Sequence, residues 1–237
     1  AGVANQDVPQ DHAFFASLYH FAIKHNIQYI MSGGNLATEC VFPHSWHWSA
    51  MDSINLRAIH KKFGKRKLKK YKTISFFELY FYYPFIKKMK VLRPLDFMPY
   101  DKEKALKILE EKIDYKKYAR KHGESIFTKF FQNHWLVEHH GYDKRRPHLS
   151  SLILSGQLTR ENALAELEKP LYDSKELRDD KEYIAKKLGV TNEEFEKVLK
   201  MPKQKYSDFK SFENRYKKMK NIQKYLSKLL NLNLSKY

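Results

Sequence analysis

The stretch that most constrains the fold runs from His12 to Glu39 and reads HAFFASLYHFAIKHN, IQYIM, SGG and NLATE in succession. Asp11 is a good N-cap. Behind it Phe14, Leu18, Phe21 and Ala22 fall on one helical face, and Lys24, His25 and Asn26 close the helix. IQYIM is a short apolar strand, Ser32-Gly33-Gly34 supplies a sharp turn, and NLATECVF reads as the start of another helix. Helix, strand, turn, helix is the repeating element of a parallel α/β sheet. Such sheets bind ligands beyond the carboxyl ends of their strands, which is where Ser32 to Glu39 would lie.

The pattern continues for about a hundred residues and then changes. Ser53 to Lys72 is a basic helix and linker, ISFFELYFYYPF an aromatic helix, and KVLRPL a last strand leading into the helix DKEKALKILEEKI. Beyond residue 101 everything reads as helical: Ser125 to His139, Arg160 to Glu168, Lys175 to Leu188 stopped by Gly189, and a helix opened by the capping box of Thr191 and Glu194. The basic tail from Tyr216 reads as a frayed terminal helix. The expected organisation is an α/β domain over residues 1–100 and a helical domain over 101–237.

With 237 residues, 42% of them hydrophobic and 15% aromatic, the chain has the material for a sizeable core. Its net charge of +18 would attract nucleic acid, an anionic membrane or a phosphorylated small molecule, although solvated lysines alone account for such an excess. One cysteine, Cys40, excludes an intrachain disulfide and a multi-cysteine zinc site, and it reads as a small packed residue in a cytoplasmic protein. The longest apolar stretch, Ile74 to Ile86, is too short to span a bilayer and contains Glu78. The opening AGVANQDVPQDHAFF reads as mid-domain sequence, so the chain is expected to be a piece of a longer protein.

Three groups of residues are candidates for chemistry. Asn35 and Glu39, four apart, share a face if they lie on one helix. They then present an amide and a carboxylate at the sheet edge, or else simply cap the helix and complement its dipole. In GYDKRRPHLSS, Lys144, Arg145, Arg146 and His148 gather beside a proline-set turn. They suit a carboxylate or diphosphate, or equally a surface patch pairing with Asp179 and Asp180. His44, His47 and Asp52 are ligand types for a metal but lack a longer histidine constellation, and Trp46 and Trp48 mark a packed wall or ring-stacking surface. His122, His134, His139 and His140 are individually uninformative, and no covalent nucleophile is evident.

Taken together, QDHAFFASLYHFAIKHNIQYIMSGGNLATECVFPHSWHW, KVLRPLDFMPYDKEKAL, KHGESIFTKFFQNHWL, GYDKRRPHLSSLILSGQLTRENALAELEKPLYD and YSDF resemble the N-acetyl sugar amidotransferase family of bacterial surface-polysaccharide and nonulosonic-acid biosynthesis. The resemblance runs from about Gln10 to Phe209. It implies a PP-loop ATP pyrophosphatase of Rossmann-like (HUP) fold, of which this chain would hold the C-terminal half of the parallel sheet and a helical extension. The implied reaction converts a sugar acetamido group to acetamidino with ATP and Mg²⁺. The amide oxygen joins the α-phosphate, pyrophosphate leaves, and ammonia displaces AMP. Ammonia would come from a glutaminase partner, and the substrate would be a nucleotide sugar or a nonulosonic acid.

The resemblance also implies site roles. Family members carry an earlier Ser-Gly-Gly-Lys-Asp-Ser loop that cradles pyrophosphate, and N-terminal cysteines that look like a zinc site; neither stands in this sequence. Here Ser32-Gly33-Gly34 continues as Asn35-Leu36-Ala37, which corresponds to the family's second motif. By that correspondence Ser32, Gly33 and Gly34 bind the nucleotide, Asn35 and Glu39 lie at the reacting amide, and Lys144, Arg145, Arg146 and His148 hold the substrate's acid. This chain alone is therefore expected not to turn over ATP. The alternative, prompted by the charge, is a PP-loop tRNA-modifying or other RNA-binding protein, although no RNA-binding module is visible.

Overall fold

The computed structural model describes residues 1–46, 48–116 and 125–229. His47, His122 and the last residues of the basic tail lie outside this set.

Helix α1 spans Val8–Lys24, a turn earlier than the Asp11 cap predicts, because Asp7 and Pro9 start it. It leads through Asn26, at φ 55°, into strand β1, Tyr29–Met31. Helix α2 is only Leu36–Glu39, so NLATECVF makes one turn and no more. Helix α3 is Ser53–Phe63. The aromatic helix Glu78–Ile86 is π-helical, with Pro84 inside it; the missing proline N–H and its ring crowding favour a widened turn. Strand β2, Lys90–Leu92, pairs parallel with β1, with Met31 opposite Leu92. These two strands are the only sheet among the described residues. The protein is thus a helix-rich α/β chain with a small parallel sheet.

The helical half follows the sequence closely in places. Helix α4 is Lys102–Ile113, α5 is Ile126–Phe130 continued by a π-helical stretch to His140, and α7 is Arg160–Glu168. Helix α8, Ser174–Leu188, ends on Gly189 at φ 68°, and α9, Asn192–Leu199, opens with the Thr191 and Glu194 capping box. Helix α6, Arg145–Leu154, replaces the expected proline-set turn. Pro147 sits in its first turn, where its missing N–H costs nothing. A final helix, α10, spans Glu213–Leu229.

Two cores result. Phe130, Phe131, Trp135, Leu136, Ile184, Ala185 and Phe195 pack α5, its π-helical extension, α8 and α9 together. Ala16, Ala22, Ile74, Tyr83 and Met89 form the core beneath the sheet. The apolar face read on α1 is split: Phe14 is 66% and Phe21 57% exposed, Leu18 is half-buried and Ala22 is buried, while Ala16 and His12 are at 0%. Periodicity identifies an apolar stripe but not which neighbour covers it. Phe14, Phe21, Met31 and Val91 are left largely exposed.

Long-range polar contacts tie the elements of the first half together. His12 is fully buried, and its Nδ1 lies 2.9 Å from the Ala50 carbonyl oxygen while the Ile74 N–H donates to Nε2 at 3.1 Å. Since an amide can only donate, Nε2 is the acceptor and Nδ1 carries the proton, so the ring is neutral. Burial holds His12, His134 and His139 below the usual imidazole range and takes His140 down to about 4. A folded pKa below the unfolded one means that the unfolded chain binds more protons. The contribution is full above about pH 6.5 and is lost as pH falls towards the folded values, at up to roughly 1.4 kcal/mol per pH unit for the fully buried His12 and less for the three partly exposed rings, which solvent screens. Denaturant unfolding at pH 7.5 and at pH 5 should show a clear loss of stability at the lower value; equal stability would contradict neutral imidazoles at His12 and at the half-buried His134, His139 and His140.

Candidate functional site

The carboxyl ends of β1 and β2 lie side by side, and each strand delivers its next residues to the same edge. After β1 the Ser32 N–H donates to the Leu92 carbonyl at 2.8 Å and the Gly34 N–H donates to Ser32 Oγ at 3.2 Å. Neither Gly33 nor Gly34 adopts positive φ, so the turn does not need glycine for its backbone angles. Their use is the absent side chain: a Cβ on Gly33 would meet nothing within 4 Å, leaving that backbone open to a ligand.

After β2 come Arg93 and Asp96, which sequence reasoning passed over. Arg93 Nε donates to the Gly34 carbonyl at 3.3 Å and pairs with Asp96 at 3.1 Å, while Asp96 accepts the Leu36 N–H at 2.8 Å. The two side chains clamp the turn from the neighbouring strand. Their position directly behind KVL, the second parallel strand, was the available signal.

Asn35 and Glu39 do not share an accessible face. Asn35 is the N-cap, 5% exposed, and its Oδ1 accepts both the Thr38 N–H at 2.8 Å and the Thr38 hydroxyl at 3.0 Å. Glu39, the last residue of α2, is exposed and has no partner among the described residues. Cys40, expected to be packed, is also exposed.

Helix α6 seats this turn. His148 Nδ1 lies 3.1 Å from the Thr38 carbonyl oxygen, and buried Ser151 Oγ accepts the Val41 N–H at 3.0 Å while donating to Pro147 O. The structure therefore brings His148 to the Ser32–Glu39 turn. It takes Arg145 elsewhere. The Arg145 guanidinium forks onto Asp143 and donates to the carbonyls of Glu166, Leu167 and Lys169, capping the end of α7. Lys144 lies over the Phe131 ring, with its ammonium 6.0 Å from the centroid. Arg146 is exposed at the start of α6, and its guanidinium meets no acceptor among the described residues. The expected pairing with Asp180 is also absent, because Asp180 belongs to Lys129.

Of the other candidates, Asp52, Trp46 and Trp48 serve the packing of the chain. The Asp52 carboxylate accepts four N–H groups, so it is not available as a metal ligand, and His44 is exposed. Trp46 stacks on Tyr142 with centroids 4.7 Å apart, and Trp48 packs among Tyr206, Phe212 and Tyr216.

Residues 124–223 match the family model described as LPS biosynthesis protein WbpG-like, C-terminal domain. That stretch is a WbpG-like C-terminal domain. No curated protein and no solved structure matches the chain significantly. The match supports a role in polysaccharide biosynthesis, and the WbpG-like domain contributes α6, with His148 and Ser151, to the turn at the sheet edge. No described helix is long and apolar enough to cross a membrane.

The fit of a nucleotide to this edge is partial. Open backbone at Gly33, the guanidinium of Arg93 and the imidazole of His148 suit one side of an anionic ligand, and the free Glu39 carboxylate suits one ligand position of Mg²⁺. A lysine-bearing loop that would enclose a triphosphate does not follow this turn.

Proposed function

We propose that the chain is the C-terminal part of an ATP-dependent amidotransferase that converts a sugar acetamido group to acetamidino during surface-polysaccharide biosynthesis. The observation that carries this reading is the WbpG-like domain docked, through α6, onto α2 and Val41, directly behind the Gly-Gly turn at the carboxyl edge of a parallel sheet. ATP and Mg²⁺ would be its cofactors, a glutaminase subunit its ammonia source, and a nucleotide sugar or nonulosonic acid its substrate.

A two-stranded parallel sheet supports the idea that more sheet belongs here. Parallel strands are stable when both faces are covered and several strands pair, whereas Tyr29, Met31, Val91 and Leu92 are all exposed. On this reading the rest of a Rossmann-like (HUP) PP-loop sheet covers them and brings the Ser-Gly-Gly-Lys-Asp-Ser loop opposite Ser32–Glu39. When bound, ATP supplies the activation that makes an amide oxygen a leaving group. This chain's own residues orient the reacting amide: Gly33 leaves room, His148 and Arg146 offer positive or hydrogen-bonding groups, and Glu39 holds Mg²⁺ or an ammonium donor.

Substitutions separate a site role from a capping role. Asn35→Asp keeps the oxygen that caps α2 but removes the amide donor, and Glu39→Ala alters an exposed side chain. In a polypeptide that includes the phosphate loop, both should lower amidination about tenfold or more at unchanged unfolding midpoint, an effect on the order of 1.4 kcal/mol in the barrier. Unchanged turnover in both would return the two residues to helix capping.

A further inference from the structure

A second cavity lies away from the turn and shares none of residues 32–39. Its volume is about 930 Å³, and it opens between the N-terminal segment, α3 and the stretch 203–208. That is the size of sites that enclose a ligand of two or more rings. Its wall combines two chemistries. One is aromatic: the Trp46 and Tyr142 rings lie parallel at 4°, and Trp48 stacks on Tyr206 at 6.1 Å. The other is cationic: Lys203 and Lys205 line it, and Asp208 is the only acidic residue there among the described residues. The Asp208 carboxylate is already engaged, accepting the Lys205 N–H at 2.8 Å.

His140 adds a specific polar group to this wall. Its Nε2 is buried and has no hydrogen-bond partner. Burial, with His139 and Lys203 nearby, keeps the ring neutral at physiological pH. Nε2 itself exposes almost no surface, so a ligand hydroxyl or amide meets it only after a small movement of the ring, which would relieve a buried polar atom that is costly to leave alone. Aromatic side chains, serine hydroxyls and lysines together fit a hydroxylated ring that carries an acid.

We propose that this chamber binds an anionic sugar, with the ring against the aromatic wall and its carboxylate or phosphate at Lys203 and Lys205. His140, Tyr142 and residues 203–208 all fall within the WbpG-like domain, so the family segment itself builds one side of the chamber. The inference rests on the polysaccharide role of that domain and not on amidotransfer chemistry.

The test is titration of the chain, without ATP or ammonia, followed by tryptophan fluorescence and calorimetry. The probes are N-acetylneuraminic acid for a carboxylate, N-acetylglucosamine 1-phosphate for a phosphate, and neutral N-acetylglucosamine and inorganic phosphate as comparisons. At least one anionic sugar should bind saturably and at least about tenfold more tightly than either comparison, and a Lys203→Gln, Lys205→Gln double variant should lose that preference. Both lysines are exposed, so the double variant should keep its circular dichroism; Trp46→Ala adds a check on the aromatic wall. Whichever anionic sugar binds names the acid. No saturable binding by either anionic sugar would overturn the proposal. So would phosphate binding as tightly as the sugars, or affinity unmoved by both the lysine and the tryptophan variants. An anionic sugar that binds but is never amidinated would keep this inference and sink the proposed reaction.

Discussion

Replacing Asp52 with Asn should destabilise the protein nearly as much as replacing it with Ala, by about 3 kcal/mol or more in each case. Asp52 is 1% exposed. Its Oδ1 caps α3 by accepting the Ile54 and Asn55 N–H groups at 3.0 and 2.9 Å, and its Oδ2 accepts Trp48 Nε1 at 3.0 Å and the Phe212 N–H at 2.8 Å. One carboxylate thus ties α3, the Trp48 loop and the start of α10 together. An asparagine can satisfy one pair, but its amide then points N–H groups at the other two donors. The nearby Asn55, which donates to the Tyr206 and Lys210 carbonyls, shows that the same junction depends on exact donor and acceptor matching. Denaturant unfolding of Asp52→Asn and Asp52→Ala checks this; an Asn variant close to wild type would mean that the carboxylate charge and second oxygen do not matter.

Replacing Lys129 with Ala should cost about 3–5 kcal/mol, the range for stranding a buried partner charge. Lys129 is 9% exposed, and its ammonium lies 2.6 Å from Asp180 and 2.8 Å from Glu176 on α8. Burial disfavours the ammonium, but the two carboxylates outweigh it and hold the Lys129 pKa above its ordinary value. Tyr172 completes the group, donating to Asp180 at 2.7 Å while its ring lies 5.5 Å from the ammonium. Removing the cation leaves Asp180, 7% exposed, without its counter-charge. A double variant, Lys129→Met with Asp180→Leu, should recover much of the loss, because the pair as a whole contributes far less than either charge costs when orphaned. If Lys129→Ala unfolds at the wild-type midpoint, the pair is solvated and the prediction is wrong.

Both networks were hidden from the sequence for the same reason. Asp52 finds Phe212, and Lys129 finds Asp180, across long separations that no local pattern encodes. What is written locally was legible: the bounds of α7, the Thr191 and Glu194 capping box, the Gly189 stop, and the strand that pairs with IQYIM. Helix α6 was missed because Pro147 suggests a turn, although a proline in a first helical turn breaks nothing. On α1 the expected face is only partly inside: Ala22 is buried, but Phe14 and Phe21 are exposed, and Ala16 and His12 take the inside in their place.

The site was legible as a place more than as a set of roles. The Ser32–Glu39 turn does lie at the carboxyl edge of a parallel pair, as helix, strand and turn imply. Which side chains face outward there was not readable. Asn35 turns inward to cap α2, Arg145 turns to the end of α7, and Arg93 and Asp96 arrive from the second strand because parallel register sets Leu92 beside Met31.

The central claim is that this chain completes an amidotransferase at that edge. The most direct measurement supplies the chain, joined to a PP-loop segment bearing Ser-Gly-Gly-Lys-Asp-Ser, with an acetamido sugar nucleotide, ATP, Mg²⁺ and ammonium, and follows the product by mass spectrometry together with pyrophosphate release. The account predicts exchange of the amide oxygen for NH with one pyrophosphate released per product, abolished without the PP-loop segment and reduced by Glu39→Ala. Pyrophosphate release by the 237-residue chain alone, or product formation indifferent to Glu39, Asn35 and His148, would contradict it.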